Sequence, residues 1–280
     1  FSDYVELNRP WVVVNLVAVP EFSLEPHRWC YPVLGCQAYR GYFNLEDARA
    51  EEAQFQDRGF DTFIGGVTAY STLGWFDDPV LNTFVNYPET DLAELIFHEL
   101  AHHHLFVNGD ATFNESFATA VAQIGVARWL KTKRGTEQRD EYLARCARRY
   151  TLSELLAKSR TQLKELYASK KTLPQKRRGK AQLIAALKKD LVALSESDPA
   201  YRKLAVWAKR TINNAVLGAR SVYHRRVPAF YALYEQSSRD MGAFLNEVEK
   251  IAGLKKKERD SILAEYEKRA ASSKLISINN

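Results

Sequence analysis

The sequence has no long run of apolar residues. The longest, at 11–19, is interrupted by Asn15 and is too short for a helix that crosses a bilayer, so we predict no transmembrane span. Cysteine is also scarce, with three residues, which excludes a small scaffold stapled by disulfides. Cys30 and Cys36 are close enough in sequence to close a small loop, and both a disulfide and two buried thiols are compatible with their spacing.

Neither charge nor polarity dominates the composition. Of the 280 residues, 46% are hydrophobic and 26% are charged, which provides enough apolar surface to offset the entropy of folding and excludes a disordered protein. The net charge of +6 is small for a dedicated nucleic-acid binder, and the sequence has no glycine-rich phosphate loop. The length favours one domain with an appendage.

Hydrophobic periodicity divides the chain into a mixed first third and a helical remainder. The period becomes helical after Pro88, where Leu92, Ile96 and Leu100 recur at every fourth position and are predicted to form one buried face. We predict strands at 11–19, 39–43 and 60–66, and helices at 45–58, 88–104 and 112–131.

Two leucine-rich amphipathic stretches, at 152–166 and 183–194, predict an α-hairpin because Pro174 and Gly179 lie between them. Their apolar faces are narrow and their outer positions are charged, which favours an arm that protrudes from the body of the protein. The predicted domains are a catalytic core at 1–135, the hairpin arm at 136–200, and C-terminal helices at 201–280 that pack back on the core.

The most informative segment is His98-Glu-Leu-Ala-His102. Residues four apart on a helix share one face, about 6 Å apart at Cβ, so the two imidazoles can converge on one ion. Glu99 projects beside them and is placed to deprotonate a metal-bound water. Burying both histidines beside Glu99 without a partner would be costly. The pattern is typical of a zincin, and we predict an α+β, zincin-like fold whose N-terminal strands pack on this helix.

The next predicted helix supplies a candidate third ligand, Glu115. Two neutral histidines and one carboxylate around Zn²⁺ leave a fourth position for water, as in catalytic rather than structural zinc sites. Glu115 also lies three residues after Thr112, so a capping box at the helix start is the alternative. His103 and His104 extend the histidine run, but a helix rotates them about 100° and 200° away from His102, which predicts surface positions or indirect roles.

The segments HELAH at 98–102 and NESFA at 114–118 resemble those of the gluzincin peptidases. A closer resemblance, over most of the chain, is to a bacterial family described as putative aminopeptidases. The resemblance implies a zinc-dependent peptidase with a peptide substrate, a periplasmic or membrane-anchored location through an upstream export segment, and a Cys30–Cys36 disulfide. It is carried by residues 29–43, 65–79, 95–102 and 109–118, with shorter matches at 213–215 and 227–230.

Peptide hydrolysis by a zincin benefits from a further donor to the developing oxyanion. Tyr223 and His224 are candidates for this catalytic role, because they lie on a predicted helix before Pro228 and correspond roughly to a tyrosine-bearing stretch in the resembling family. Surface or core packing of these two side chains is the alternative. Tyr70 is a rival candidate from the loop before the HELAH helix.

Three further features of the sequence bear on substrate binding. Residues 65–70 are candidates for the strand edge on which zincins lay an extended peptide. Thr119, one turn after Glu115, is a candidate for orienting a histidine ring. An aminopeptidase also needs an acidic anchor for the free amine of its substrate. The candidates for that anchor are Asp77, Asp78 and Glu94.

The predicted hairpin turn is strongly basic. A solvated turn and an anion-binding surface both fit such a cluster, but no aromatic residues interleave with the charges, so nucleic acid is not a predicted partner. The alternative functional hypothesis is a catalytically idle, metal-bound scaffold whose basic hairpin binds a protein or an anionic partner. The basic residues are Lys170, Lys171, Lys176, Arg177, Arg178 and Lys180.

Overall fold

The computed structural model describes residues 3–32, 35–69, 79–221 and 226–272, and the fold of these residues is α+β. The strands are β1 (Tyr4–Val5), β2 (Val13–Pro20), β3 (Trp29–Tyr31), β4 (Gly35–Gln37), β5 (Arg40–Tyr42), β6 (Phe60–Val67) and β7 (Val80–Leu81). The helices are α1 (Leu45–Asp57), α2 (Glu89–His104), α3 (Ala111–Lys133), α4 (Thr136–Ala168), α5 (Leu173–Ser197), a short 3₁₀ helix (Pro199–Tyr201), α6 (Lys203–Ala208), α7 (Asn214–Ser221), α8 (Val227–Gln236), α9 (Met241–Ala252) and α10 (Lys256–Ser272).

Strand β2 is the centre of a three-stranded antiparallel sheet with the order β5-β2-β6. Val14, Leu16 and Ala18 are buried and the residues between them are partly buried, because successive side chains of a strand point to opposite faces. The three strands predicted from the sequence are therefore present. The sheet packs mainly on α1 and α7.

A disulfide joins Cys30 and Cys36 across the β3–β4 hairpin, where the two residues are directly paired. The bridge implied by the family resemblance is thus confirmed. The indole N–H of Trp29 donates a hydrogen bond to Glu51 of α1, and the Trp29 ring packs on Phe55 of the same helix. The bridged hairpin is therefore attached to α1.

Helix α3 lies in the middle of a large hydrophobic cluster. Its side chains Phe113 and Phe117 contact Phe230 of α8, and Phe117 also contacts Phe244 of α9. Helix α10 packs on α8 and contributes to the same hydrophobic cluster. As a result α3 is buried on nearly all sides over its first half.

Helix α2 packs mainly on α3, along a face one residue away from the predicted one. Leu100 was predicted to be buried and is 52% exposed, so the prediction is wrong at this position. The face packed on α3 runs instead through Ala93 and Phe97, which are partly buried, and Ala101, which is buried. The two alanines allow the helices to approach closely. The predicted packing of the N-terminal strands on this helix is also not what the described residues show, since the sheet lies mainly against α1 and α7.

Helices α4 and α5 form the predicted α-hairpin around a leucine core. This core is made by Leu156, Leu163, Leu187 and Leu191, all of which are buried. Although α4 has 33 residues, no helix among the described residues combines the length and the apolar character needed to cross a membrane. The domain boundaries after residues 135 and 200 stay a prediction.

The prediction that the hairpin protrudes is wrong near its turn. The Arg177 guanidinium donates two hydrogen bonds of 2.7 and 2.9 Å to Glu21, just after β2, and Lys180 Nζ lies 2.6 Å from Asp61 in β6. Lys176 donates to the backbone oxygen of Tyr167. Arg177 and Lys180 thus attach the turn to the sheet, whereas Lys170, Lys171 and Arg178 are exposed. The described contacts give no support to the alternative scaffold hypothesis.

Candidate metal centre

The N-terminus of α3 is capped by Asp110, not by Thr112. The Asp110 carboxylate accepts a hydrogen bond from the backbone N–H of Phe113, as expected of an N-cap residue. Thr112 therefore lies inside the first turn, and the alternative in which it forms a capping box with Glu115 does not hold. The carboxylate of Glu115 is directed towards α2 instead.

A close approach of α2 and α3 brings their side chains together. The Phe97 ring of α2 lies flat against Gly125 of α3, where a Cβ atom would be 3.1 Å from Cγ of Phe97. Any larger residue than glycine at this position would force the helices apart or displace the ring. Gly125 thus contributes to the separation at which ligands from the two helices can meet.

Three potential ligand atoms converge between the helices. His98 Nε2 and His102 Nε2 are 3.2 Å apart. The Glu115 carboxylate oxygens lie 3.3 Å from His98 Nε2 and 3.7 Å from His102 Nε2. These residues are the one group among the described residues whose His, Cys, Asp or Glu atoms are close enough to hold a metal ion together. The structure therefore brings together the three residues that the sequence nominated as ligands.

The separations between these atoms fit a tetrahedral metal ion. Nitrogen and oxygen ligands bind such an ion at about 2.0–2.2 Å, which places neighbouring ligand atoms about 3.3–3.6 Å apart. The two Nε2 atoms, 3.2 Å apart, and the 3.3 Å between His98 Nε2 and Glu115 Oε2 are close to this spacing, whereas the 3.7 Å to His102 Nε2 is measured from the other carboxylate oxygen, Oε1. A carboxylate beside two imidazole nitrogens is also a donor set suited to a divalent cation.

Burial keeps the His102 imidazole neutral. The pKa of His102 is lowered to about 4, mainly by burial and also by the neighbouring His98, while the negative charge of Glu115 opposes both effects. The ring is uncharged at pH 7, which is the protonation state that binds a metal ion. Its Nδ1 atom is buried and has no hydrogen-bond partner among the described residues. Thr119 is buried on α3, and its role in orienting a histidine ring stays a prediction.

A sequence model of the family described as Putative aminopeptidase matches residues 1–263 of the chain. The chain belongs to this family. The name of the family indicates a peptidase that acts on peptide substrates. No match was found among curated proteins or among solved structures.

The two histidines that follow His102 in this Putative aminopeptidase family member lie at the surface, as predicted. His103 and His104 are exposed at the end of α2, and His104 Nε2 is 3.0 Å from a carboxylate oxygen of Glu249 in α9. Glu99 is partly buried on α2, next to His98 in sequence. Its predicted role as general base stays a prediction.

One candidate for the amine anchor, Glu94, already has partners. Its carboxylate accepts hydrogen bonds of 2.8 and 3.0 Å from the guanidinium of Arg149 in α4. Glu94 therefore fixes α2 to α4 instead of facing a substrate with a free charge. Asp77 and Asp78 lie outside the described residues, as do Tyr70, Tyr223 and His224.

The candidate peptide-binding strand is at an edge of the sheet. β6, which contains Gly65, pairs only with β2 among the described strands. This position is compatible with the addition of an extended peptide. The binding of a peptide there stays a prediction.

Sequence reasoning missed a set of polar residues around Glu115. The Asn114 side chain donates to the backbone oxygen of Val107 and accepts from its N–H, both at 2.8 Å, which fixes the loop between α2 and α3. Ser116 Oγ accepts a hydrogen bond from the backbone N–H of Arg226, at the start of α8. Asn and Ser are poor residues for a helix interior, and their occurrence on both sides of Glu115 is the signal that could have identified them.

Proposed function

We propose that this protein is a zinc-dependent peptidase of the aminopeptidase type. The observation that carries the proposal is the convergence of His98, His102 and Glu115 on one point between α2 and α3. Membership of the Putative aminopeptidase family supports the reaction class. The donor set of two imidazoles and one carboxylate is that of catalytic zinc sites, which keep a fourth position open.

Each ligand residue has a defined part in holding the ion. His98 and His102 present Nε2 atoms from one face of α2, and Glu115 adds a negative charge from α3. When bound by these residues, Zn²⁺ would supply an acidified water and would offset the negative charge that develops on the carbonyl oxygen of the scissile bond. The buried, neutral state of His102 favours metal binding over protonation.

Glu99 is proposed as the general base and acid. Its carboxylate takes a proton from the attacking water as the oxygen bonds to the peptide carbonyl carbon. It then delivers that proton to the amide nitrogen as the C–N bond breaks, so that the products are a free carboxylate and a free amine. The HExxH spacing, with Glu99 next to His98 on α2, supports this role.

Tyr223 and His224 remain the proposed donors to the oxyanion. Arg226, the nearest described residue after them in the chain, donates its backbone N–H to Ser116, the neighbour of the ligand Glu115. This contact supports the proposal because it attaches the start of α8 to the segment of α3 that carries the candidate ligand.

We also propose a periplasmic setting, or a membrane-anchored one that faces the periplasm. The disulfide between Cys30 and Cys36 supports it, because structural disulfides form and persist in oxidising compartments and are rare in the cytosol. Expression in the periplasm and in the cytosol, followed by thiol titration, tests the setting. A fully reduced pair after periplasmic expression would contradict it.

The decisive experiment compares the wild-type protein with Glu99→Gln on a library of short peptides. We expect the zinc-loaded wild type to release N-terminal residues, and Glu99→Gln to lose about 100-fold or more of this activity while it binds zinc normally. N-acetylated peptides serve as the substrate control, since an aminopeptidase spares them. His104→Gln serves as the protein control, because it removes a neighbouring imidazole that lies at the surface. Equal activity of wild type and Glu99→Gln would overturn the proposal.

A further inference from the structure

A buried ion pair connects the helix that carries Glu115 to the C-terminal helix. Arg259 of α10 donates to Asp110 Oδ2 from Nη2 at 2.8 Å and from Nε at 3.1 Å. Both side chains are 5% exposed or less. Burial raises the pKa of the Asp110 carboxyl, but the hydrogen bonds from Arg259 and from the Phe113 N–H, together with Lys256 at 3.3 Å, lower it by more, so the pair is ionised at neutral pH.

The same guanidinium also holds the end of α9. Arg259 Nη1 donates to the backbone oxygens of Ala252 and Leu254 at 3.1 and 2.8 Å, and its Cζ lies 5.3 Å from the centre of the Phe113 ring. Asp110 Oδ1 meanwhile caps α3 through the Phe113 N–H at 3.2 Å. One side chain thus joins the start of α3, the end of α9 and the body of α10.

A directional contact adds to what apolar packing fixes in the position of α3. Residues 116–120 are all buried, so this part of the helix has no solvent-facing side that would fix its rotation. A buried ion pair adds little net folding free energy, because the cost of desolvation offsets most of the attraction. However, its hydrogen bonds form in only one arrangement of the two side chains. The ion pair can therefore fix the rotation of α3.

We propose that Arg259 is a positioning residue for the metal centre, because it holds Asp110 and thereby fixes the rotation and axial position of the first turns of α3. This inference rests on the proposed metal site. A helix advances about 1.5 Å and turns about 100° per residue, so a slip of one residue at Asp110 carries the Glu115 carboxylate away from His98 and His102.

The test measures metal binding by folded protein, independently of catalysis. Zinc affinity is measured by competition with a chromophoric chelator, and ligand geometry by the visible absorption of the Co²⁺-loaded protein. We expect Arg259→Met to bind zinc about 10-fold more weakly than wild type and to shift the Co²⁺ spectrum towards that of Glu115→Ala. Arg259→Lys keeps the charge and is expected to recover part of both properties.

The matched control is Lys180→Met. Lys180 and Asp61 also form a largely buried ion pair, with an N–O distance of 2.6 Å and exposures of 15% and 18%, but they join α5 to β6. This variant is expected to lower the midpoint of thermal unfolding without a change in zinc affinity or in the Co²⁺ spectrum. If Arg259→Met does not fold, Asp110→Asn takes its place, since it retains an oxygen acceptor for the Phe113 N–H and removes the charge that holds Arg259.

The outcomes separate this inference from the proposed function. If Glu115→Ala binds zinc as tightly as wild type, the proposed metal site is wrong and the inference falls with it. If Glu115→Ala loses zinc but Arg259→Met keeps wild-type affinity and spectrum, as Lys180→Met does, only the inference is overturned.

Discussion

The α2–α3 pair and the α4–α5 hairpin bury different kinds of side chain. Of the ten polar or charged side chains that are buried among the described residues, six belong to residues 102–123, and Ser159 is the one that belongs to the hairpin. The hairpin interior is formed by leucines. Burying a polar group costs free energy unless it is hydrogen bonded, so the buried polar side chains near the candidate metal centre need defined partners, whereas the leucines of the hairpin need only close packing.

Removal of a proposed metal ligand is expected to have the largest effect, a loss of zinc affinity without a loss of the fold. Glu115→Ala is expected to weaken zinc binding by at least about 100-fold, because the proposed site loses its one carboxylate. The fold should survive, since the Glu115 side chain is 24% exposed. Zinc titration of the folded protein measures the effect. Glu249→Ala is the control, because its carboxylate contacts His104 at the surface and should leave zinc affinity unchanged.

A cavity in the hairpin is expected to lower the stability of the fold and to leave zinc affinity unchanged. Leu163 is fully buried, and Leu163→Ala is expected to lower the free energy of unfolding by about 2–5 kcal/mol without a change in the zinc affinity of the folded protein. Urea denaturation of the metal-free protein measures the first quantity and chelator competition the second. Leu173→Ala, at a position 56% exposed, is expected to change neither. A large loss of zinc affinity in Leu163→Ala would show that the two regions are coupled.

A methyl group added between α2 and α3 is expected to lower both the stability of the fold and the zinc affinity. In Gly125→Ala the new Cβ meets the Phe97 ring at 3.1 Å, and this overpacking should outweigh the better helix propensity of alanine, for a net loss of about 1 kcal/mol. We also expect a few-fold weaker affinity for zinc, because the helices that carry the ligands separate. In the control, Gly218→Ala, the new Cβ meets only Arg160 Nη1 at 4.0 Å, so stability should be retained or slightly increased.

The smallest effect is expected at the contact between the hairpin turn and the sheet. The hydrogen bonds and charge of Arg177 lower the pKa of Glu21 below its ordinary value of 4.5. A carboxyl with a lowered pKa in the folded state stabilises the fold above the ordinary value, and this contribution disappears as the pH falls through the lowered one. Glu21→Gln should therefore be slightly less stable than wild type at pH 7 and equal to it in acid. Urea midpoints across this pH range measure the difference, and a gap that persists in acid would contradict the assignment.

The ligands of the candidate site could be predicted from the sequence because their relations are local. His98 and His102 share a helix face by their spacing alone, and Glu115 follows on the next helix after a short turn. The choice between ligand and capping box for Glu115 needed the structure, since it depended on Asp110 being the N-cap.

The features that escaped prediction depend on distant partners. Asp110 and Arg259 are 149 positions apart, and no periodicity in either segment identifies the other. The error at Leu100 arose because two interleaved stripes on α2 are both apolar, and only contact with Gly125 and its neighbours favours the stripe through Phe97. The docking of the hairpin turn depends in the same way on acidic residues of the sheet.

The contact of Glu21 with Arg177 also bears on how the chain folds. It joins residues 156 positions apart, whereas α4 and α5 are neighbours in sequence. Closure of a long loop costs entropy before the contact can form, so we expect the hairpin to form early and to dock on the sheet late. Transient undocking without global unfolding would then expose the ends of β2 and β6 to hydrogen exchange together with the hairpin turn.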